Sequence, residues 1–359
     1  MARVFNFNAG PSVLPLEVLQ EAQADLVDYK GSGMSIMEHS HRGKEYDAVH
    51  LEAVANFKKL LNASDDYHVL FVAGGASLQF AMIPMNLLGP GQTADYTDSG
   101  AWANKAIKEA KVIGAVNVAA DCGKEIPTRV PKASEMKLTP GAAYVHITSN
   151  ETIAGSQWKT FPKTEAPLVA DMSSDILSRS FDLKQFGLIY GGAQKNLGPS
   201  GLAMVVIRKD LAERGANKIP TIFKYSTFVA ENSLYNTPST FGIYIMMLVS
   251  RWMLKTGVET LYRRNVEKAG KIYAAIDGSG GYYKGTAVKE CRSDMNLTWR
   301  LPTEALEEQF IKEASKLGMK GMKGHRSVGG IRASIYNAFP VEGVDALVAF
   351  MKEFQKKNG

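Results

Sequence analysis

Val69-Leu70-Phe71-Val72-Ala73-Gly74-Gly75-Ala76-Ser77-Leu78-Gln79-Phe80 is the stretch that decides the fold. Four apolar residues read as a buried strand, Gly-Gly as a tight turn, and Ala76 to Phe80 as the start of a helix. A strand that runs through a small-residue turn into a helix is half of a parallel crossover. The same reading repeats along the chain. Residues 93–96 precede the helix carrying Trp102, and Val112-Ile113 with Val116-Asn117-Val118 form the next strand region. Residues 144–148, Leu168–Asp171, 188–190 and 202–207 continue it. The expectation is an α/β fold with a mostly parallel sheet of seven strands covered by helices on both faces.

Farther on the texture changes. Residues 242–276 hold little Gly or Pro and carry apolar residues at helical spacing, which predicts long helix leaving the large domain near Gly257. Asn296-Leu297-Thr298-Trp299-Arg300, the amphipathic residues 303–317, residues 331–335 and a final helix over 344–354 then predict a compact α+β unit. Two domains with a cleft between them are expected: residues 16–257, and residues 1–15 joined with 258–359.

Composition excludes several classes. The chain has 359 residues, 45% of them hydrophobic and 22% charged, as an ordinary folded protein does. Its net charge of +6 is scattered, with no basic run, which speaks against a nucleic-acid arm and for anionic small molecules. Cys122 and Cys291 are the two cysteines, too few for a disulfide scaffold or Cys-rich metal site, so a reducing cytoplasm is expected. Residues 1–8 are broken by asparagines and followed by Gly10-Pro11, leaving no signal-peptide core. The longest apolar run, residues 241–249, falls short of the ~20 residues that cross a bilayer.

Chemistry is concentrated around Gly191-Gly192-Ala193-Gln194-Lys195-Asn196-Leu197-Gly198-Pro199-Ser200-Gly201. A lysine enclosed by small residues at the end of a strand is placed to be partly desolvated and to attack a carbonyl. Asp171, at the end of an earlier strand, can share its crevice. A buried carboxylate there needs a cationic partner such as a pyridinium nitrogen. Gly74-Gly75-Ala76-Ser77 opens a helix, where free N–H groups and the dipole hold a phosphate. Trp102, where another strand passes into a helix, can stack on a flat ring. Taken singly, each has a plainer use: a solvated loop lysine, a cap for the turn Met172-Ser173-Ser174, a turn without ligand, a core tryptophan. Walker A and Gly-x-Gly-x-x-Gly fingerprints are missing, as is Gly-x-Ser-x-Gly. His39-Ser40-His41 lacks the further ligands that zinc requires, so no metal is expected.

Together these residues resemble the fold-type I pyridoxal-phosphate enzymes, and more closely the class V aminotransferases. Phe5-Asn6-Phe7-Asn8-Ala9-Gly10-Pro11-Ser12 and Met37-Glu38-His39-Ser40-His41-Arg42 carry that resemblance near the start. Gly324-His325-Arg326-Ser327-Val328-Gly329-Gly330-Ile331-Arg332-Ala333-Ser334-Ile335-Tyr336-Asn337-Ala338 carries it near the end. The resemblance implies that Lys195 joins pyridoxal 5′-phosphate covalently and that Asp171 binds the ring nitrogen. It surrounds the ring with Gln194, Thr152 and Trp102, with Thr152 on the phenolic oxygen. It assigns the phosphate to Ala76 and Ser77, joined by Asn236 and Thr237 of a neighbouring subunit, and so implies a homodimer with shared sites. Some members of the family have arginine where this chain has Ser77.

Glutamate and phosphoserine both carry an α-carboxylate and a distal anion, so cationic groups must await each end. Arg332 is assigned to the α-carboxylate, and His41, Arg42, His325 and Arg326 to the distal group. The resemblance implies reversible transamination of 3-phosphooxypyruvate with L-glutamate to O-phospho-L-serine and 2-oxoglutarate, in serine biosynthesis. It also implies a 4-phosphooxy-L-threonine reaction in pyridoxine biosynthesis. The nearest competitors are other class V enzymes, a cysteine desulfurase or an alanine–glyoxylate-type aminotransferase; against the desulfurase, Cys291 precedes a strand and Cys122 sits at a Gly-containing turn.

Overall fold

The computed structural model describes residues 3–122 and 128–359, so the turn after Cys122 lies outside the described residues, as do the first two positions. Seven strands form the central sheet. Their spatial order is Tyr67–Ala73, Leu202–Arg208, Leu188–Gly192, Leu168–Asp171, Val145–Thr148, Thr93–Asp98 and Ala115–Asp121. Leu202–Arg208 runs antiparallel to both its neighbours and the other pairings are parallel, which is the expected α/β architecture.

The strands are apolar on both faces because both faces are covered. Phe71, Ile147, Ala170, Ile189 and Met204 pack toward helices Lys44–Leu60 and Thr240–Thr256. Val72, Tyr96, Val169, Tyr190 and Val205 pack toward helices Gly75–Leu87 and Ala101–Ile113. Two local expectations are corrected here. Val112-Ile113 is not strand: it ends the helix begun at Ala101, which Gly114 terminates by donating its N–H to Ala110 O at 3.0 Å. Local β-propensity lost to the amphipathic run before it. The long helical stretch is two helices, Thr240–Thr256 and Val258–Asp277, separated by Gly257 at φ +82°, a conformation that favours glycine.

A separate antiparallel sheet, in the order Lys284–Gly285, Asn296–Arg300, Ile331–Ser334, is backed by helices Glu304–Lys316 and Val341–Asn358. The first of these helices starts where Thr303 Oγ1 accepts the Leu306 N–H at 3.2 Å. Its Phe310 ring meets Trp299 edge-on at 6.1 Å and lies 5.1 Å from Phe354. We expect Phe310→Ala to cost about 3–5 kcal/mol, read as a lowered midpoint of chemical unfolding with the sheet signal retained below it. Phe5–Asn6 pairs parallel with Met319–Lys320, which brings the beginning of the chain beside this sheet. From there the chain runs to the lysine loop, where Ser12 donates N–H to Gln194 O at 2.9 Å and its hydroxyl to Lys195 O at 2.6 Å. Among the described residues, no helix is long and apolar enough to cross a membrane, and no cluster of His, Cys, Asp or Glu could hold a metal.

Candidate active site

A cavity of about 580 Å³ opens at the carboxyl ends of the parallel strands, where α/β sheets bind ligands. Gly74, Ala76 and Ser77 follow the strand Tyr67–Ala73, and Trp102 follows Thr93–Asp98. Thr152 comes after Val145–Thr148, Asp171 ends its own strand, and Gln194 and Lys195 follow Leu188–Gly192. His325 and Arg332 reach the same cavity from the C-terminal part of the chain. All of these residues stand out in the sequence, and the fold gives them one shared space.

Each is held for a physical reason. Gly74 takes φ +84°, and a Cβ there would stand 2.8 Å from Leu78 Cβ, so only glycine lets the strand turn directly into helix Gly75–Leu87. The first turn of that helix carries N–H groups without intrahelical partners, beside Ala76 and Ser77. Asp171 is buried. Its Oδ1 accepts the Ser173 N–H at 2.9 Å and the Ser173 hydroxyl at 2.6 Å, and Ser173 Oγ in turn accepts the Gly192 N–H at 3.0 Å. The turn-capping use weighed for Asp171 is therefore real, and it occupies one oxygen only. Burial raises the Asp171 pKa, while Lys195 and the Ser173 bonds oppose the shift. Burial lowers the Lys195 pKa, against Asp171 and Glu151.

Trp102 presents its ring 5.4 Å from Lys195 Nζ and donates Nε1–H to Thr152 Oγ1 at 2.9 Å. Arg332 donates from Nη1 to Thr152 O at 3.1 Å, and its Nε is buried without a hydrogen-bond partner among the described residues. Burial works against the Arg332 charge, which gives an entering anion added value there. His325 exchanges a 2.7 Å hydrogen bond with Ser327 Oγ, and burial together with Arg332 and Arg326 lowers its pKa.

The sequence matches the Aminotransferase class-V family over residues 4–347. The chain belongs to that family. Relatives agree over the full length: a phosphoserine aminotransferase of Niallia circulans is 55% identical, with 99% of each chain covered. Among solved structures, the phosphoserine aminotransferase from Bacillus circulans subsp. alkalophilus has a TM-score of 0.97 at 55% identity, covering 99% of both chains. A PLP-bound phosphoserine aminotransferase from Trichomonas vaginalis has a TM-score of 0.94 at 40% identity, covering 98% of this chain and 100% of its own.

The cavity of this aminotransferase fits pyridoxal phosphate: a lysine for the aldehyde, a buried carboxylate with one oxygen free for a ring nitrogen, a flat indole and a helix start for phosphate. Five predicted residues are not brought in by the single chain. Arg42 and Arg326 are exposed and His41 is half-buried, none of them lining the cavity. Asn236 and Thr237 are likewise exposed and outside it. His39 has other partners, Glu45 Oε2 at 3.6 Å and Ser32 Oγ at 2.9 Å. Burial pushes the Cys122 thiol up to about 12, and neither cysteine is among the described residues that line the cavity, so the desulfurase alternative gains no support from the site.

Further contributors escaped the sequence reading. Gly10 and Pro11 line the cavity because the N-terminal segment is laced onto the lysine loop. Ser173 had a signal, since Asp-x-Ser is an Asx-turn pattern. Glu151 had none, being one charged residue on a two-residue strand.

Proposed function

We propose that this aminotransferase interconverts 3-phosphooxypyruvate plus L-glutamate with O-phospho-L-serine plus 2-oxoglutarate, using pyridoxal 5′-phosphate. The observation that carries the reading is the meeting of desolvated Lys195, buried Asp171 and the partly unpaired Arg332 guanidinium in one cavity. When bound, the cofactor supplies an aldehyde for Lys195 and a ring that accepts the electron pair left when the Cα–H bond breaks. Lys195 Nζ takes the proton from the substrate Cα and would pass it to the carbon that had been the cofactor's aldehyde, so that the amino group stays behind when the 2-oxo acid leaves. Asp171 keeps a proton on the ring nitrogen, and Ser173 fixes the carboxylate for that task. Trp102 would stack on the ring, Thr152 and Gln194 would meet its edge, and Ala76 and Ser77 would offer N–H groups to the phosphate. Arg332 holds the α-carboxylate and so orients the Cα–H bond.

The distal phosphate or carboxylate falls to His41, Arg42, His325 and Arg326. Because His41, Arg42, Asn236 and Thr237 lie outside the cavity of one chain, the reading includes a homodimer in which a second copy contributes. Exposed apolar residues in the N-terminal part of the chain support it: Val27 is 80% exposed and Leu51 51%. The names of the full-length relatives support phosphoserine as substrate. The same charge pattern admits 4-phosphooxy-L-threonine, one carbon longer, and with it a place in pyridoxine as well as serine biosynthesis. Two free cysteines fit a reducing cytoplasm. The domain reading, residues 16–257 against residues 1–15 with 258–359, sets the cavity between the two units.

The test is a half-reaction series that follows loss of the lysine-bound chromophore. Phosphoserine and glutamate are expected to discharge it, and alanine and cysteine to leave it. Discharge by alanine at the phosphoserine rate would reject the substrate assignment. We further expect Arg42→Ala to weaken phosphoserine and glutamate together, each by about tenfold, as for loss of one charge-assisted hydrogen bond. A steady-state KM series reads this, and an effect on one substrate alone would mean the distal pocket is not shared.

A further inference from the structure

Glu151 is fully buried, yet among the described residues it forms no ion pair. Its oxygens are taken by the start of helix Ala101–Ile113: Oε2 accepts the Trp102 N–H at 3.3 Å and Oε1 the Ala103 N–H at 3.0 Å. The residue before that helix is Gly100, which has no side chain to cap it, so the cap comes from a distant hairpin. The approach depends on glycine, because a Cβ at Gly100 would stand 2.6 Å from Glu151 Cδ. One residue on, Thr152 Oγ1 accepts the indole N–H of Trp102 at 2.9 Å. Trp102 is therefore held twice by consecutive residues, its main chain by Glu151 and its ring by Thr152. An indole N–H can only donate, so the Thr152 hydroxyl must accept from it and aim its own proton elsewhere. Both Trp102 and Thr152 face the cavity.

We infer that Glu151 is a positioning residue: by tying down the Trp102 main chain it fixes the indole against the ring site and, through the indole, the direction in which Thr152 donates. The inference rests on the cofactor reading and adds a residue to it. Burial pushes the Glu151 carboxyl up to about 7; the two N–H donors favour its charge, Asp171 works against that charge and Lys195 for it. A carboxylate kept in so costly a place is compensated by the helix start it neutralises.

Glu151→Gln in the full-length protein tests this. Glutamine keeps the shape but offers one oxygen, so one of the two N–H groups loses its acceptor. Titration with pyridoxal phosphate, followed by the absorbance of the bound cofactor, is expected to show about tenfold weaker binding. A misdirected Thr152 donor leaves more charge on the phenolic oxygen, so the colour change with pH should move up by about half a unit. KM for glutamate should stay within about twofold, since no group touching the substrate changes. In a Trp102→Ala background the same exchange should alter cofactor binding by less than about twofold. Parental binding and colour in Glu151→Gln would overturn the inference, as would an equal loss with Trp102 removed. Should Glu151→Gln not fold by circular dichroism, Trp102→Phe reports on the other half of the clamp, keeping a ring and deleting the indole N–H. An unmoved colour change there overturns the inference, and an upward shift supports it. If the parent protein itself shows no Lys195-dependent colour with pyridoxal phosphate, the cofactor reading fails instead.

Discussion

Lys195→Ala is expected to abolish transamination, with turnover falling by at least about 10³-fold, because the amine both anchors the cofactor and moves the Cα proton. Binding should survive the loss. The helix start at Gly75, the indole of Trp102 and the carboxylate of Asp171 are untouched by the change, so pyridoxal phosphate should still be retained without a covalent link. Two measurements separate these claims: equilibrium binding of the cofactor, and borohydride treatment, which should fix it to the parent and not to the variant. A pH dependence accompanies them. Burial lowers the Lys195 pKa from its ordinary 10.5, so the free amine that attacks the aldehyde becomes available at lower pH than for an exposed lysine. The rate of cofactor capture by the parent apoprotein should rise with pH and level off below 10.5. Turnover above about one per cent of the parent in Lys195→Ala would remove the lysine from the proton transfer.

Why these residues were legible in the sequence is a matter of topology. Gly74, Trp102, Asp171 and Lys195 each stand at or just after the end of a strand, and parallel strands deliver all such ends to one edge of the sheet. Reading apolar runs was therefore enough to gather them. Arg332 comes from the other sheet and His325 from the loop that leads into its strand, and only the long C-terminal motif pointed to them. Glu151 was invisible because its role lies in a tertiary contact: it caps a helix some fifty positions earlier, and no spacing rule connects the two. The misread strand at Val112-Ile113 and the unbroken helix across Gly257 are the converse case. There, local propensity was readable, and the deciding features were a glycine stop and a left-handed backbone.

Asp171→Asn is expected to lower kcat by about 10³-fold while leaving the fold intact, comparable to removing a preorganised charge from a catalytic site. The geometry says why an isosteric change should do so much. Oδ1 is fixed by two bonds from Ser173, and the asparagine carbonyl can keep both of them. What faces the cavity is then an NH₂ donor in place of a carboxylate oxygen. A donor at that position selects an unprotonated ring nitrogen, and a neutral ring is a poor acceptor of the electron pair from Cα. The loss is electronic, so a cofactor analogue methylated at the ring nitrogen, whose charge is permanent, should return part of the rate. Ser173→Ala should cost far less, about tenfold, because it frees the carboxylate without discharging it. Lys195 provides an independent readout. Asp171 opposes the downward shift of its pKa, so in Asp171→Asn the amine should titrate lower still and apoprotein capture of the aldehyde should level off at lower pH. A kcat within tenfold of the parent, or a capture profile that moves upward, would mean that Asp171 serves only the turn it caps.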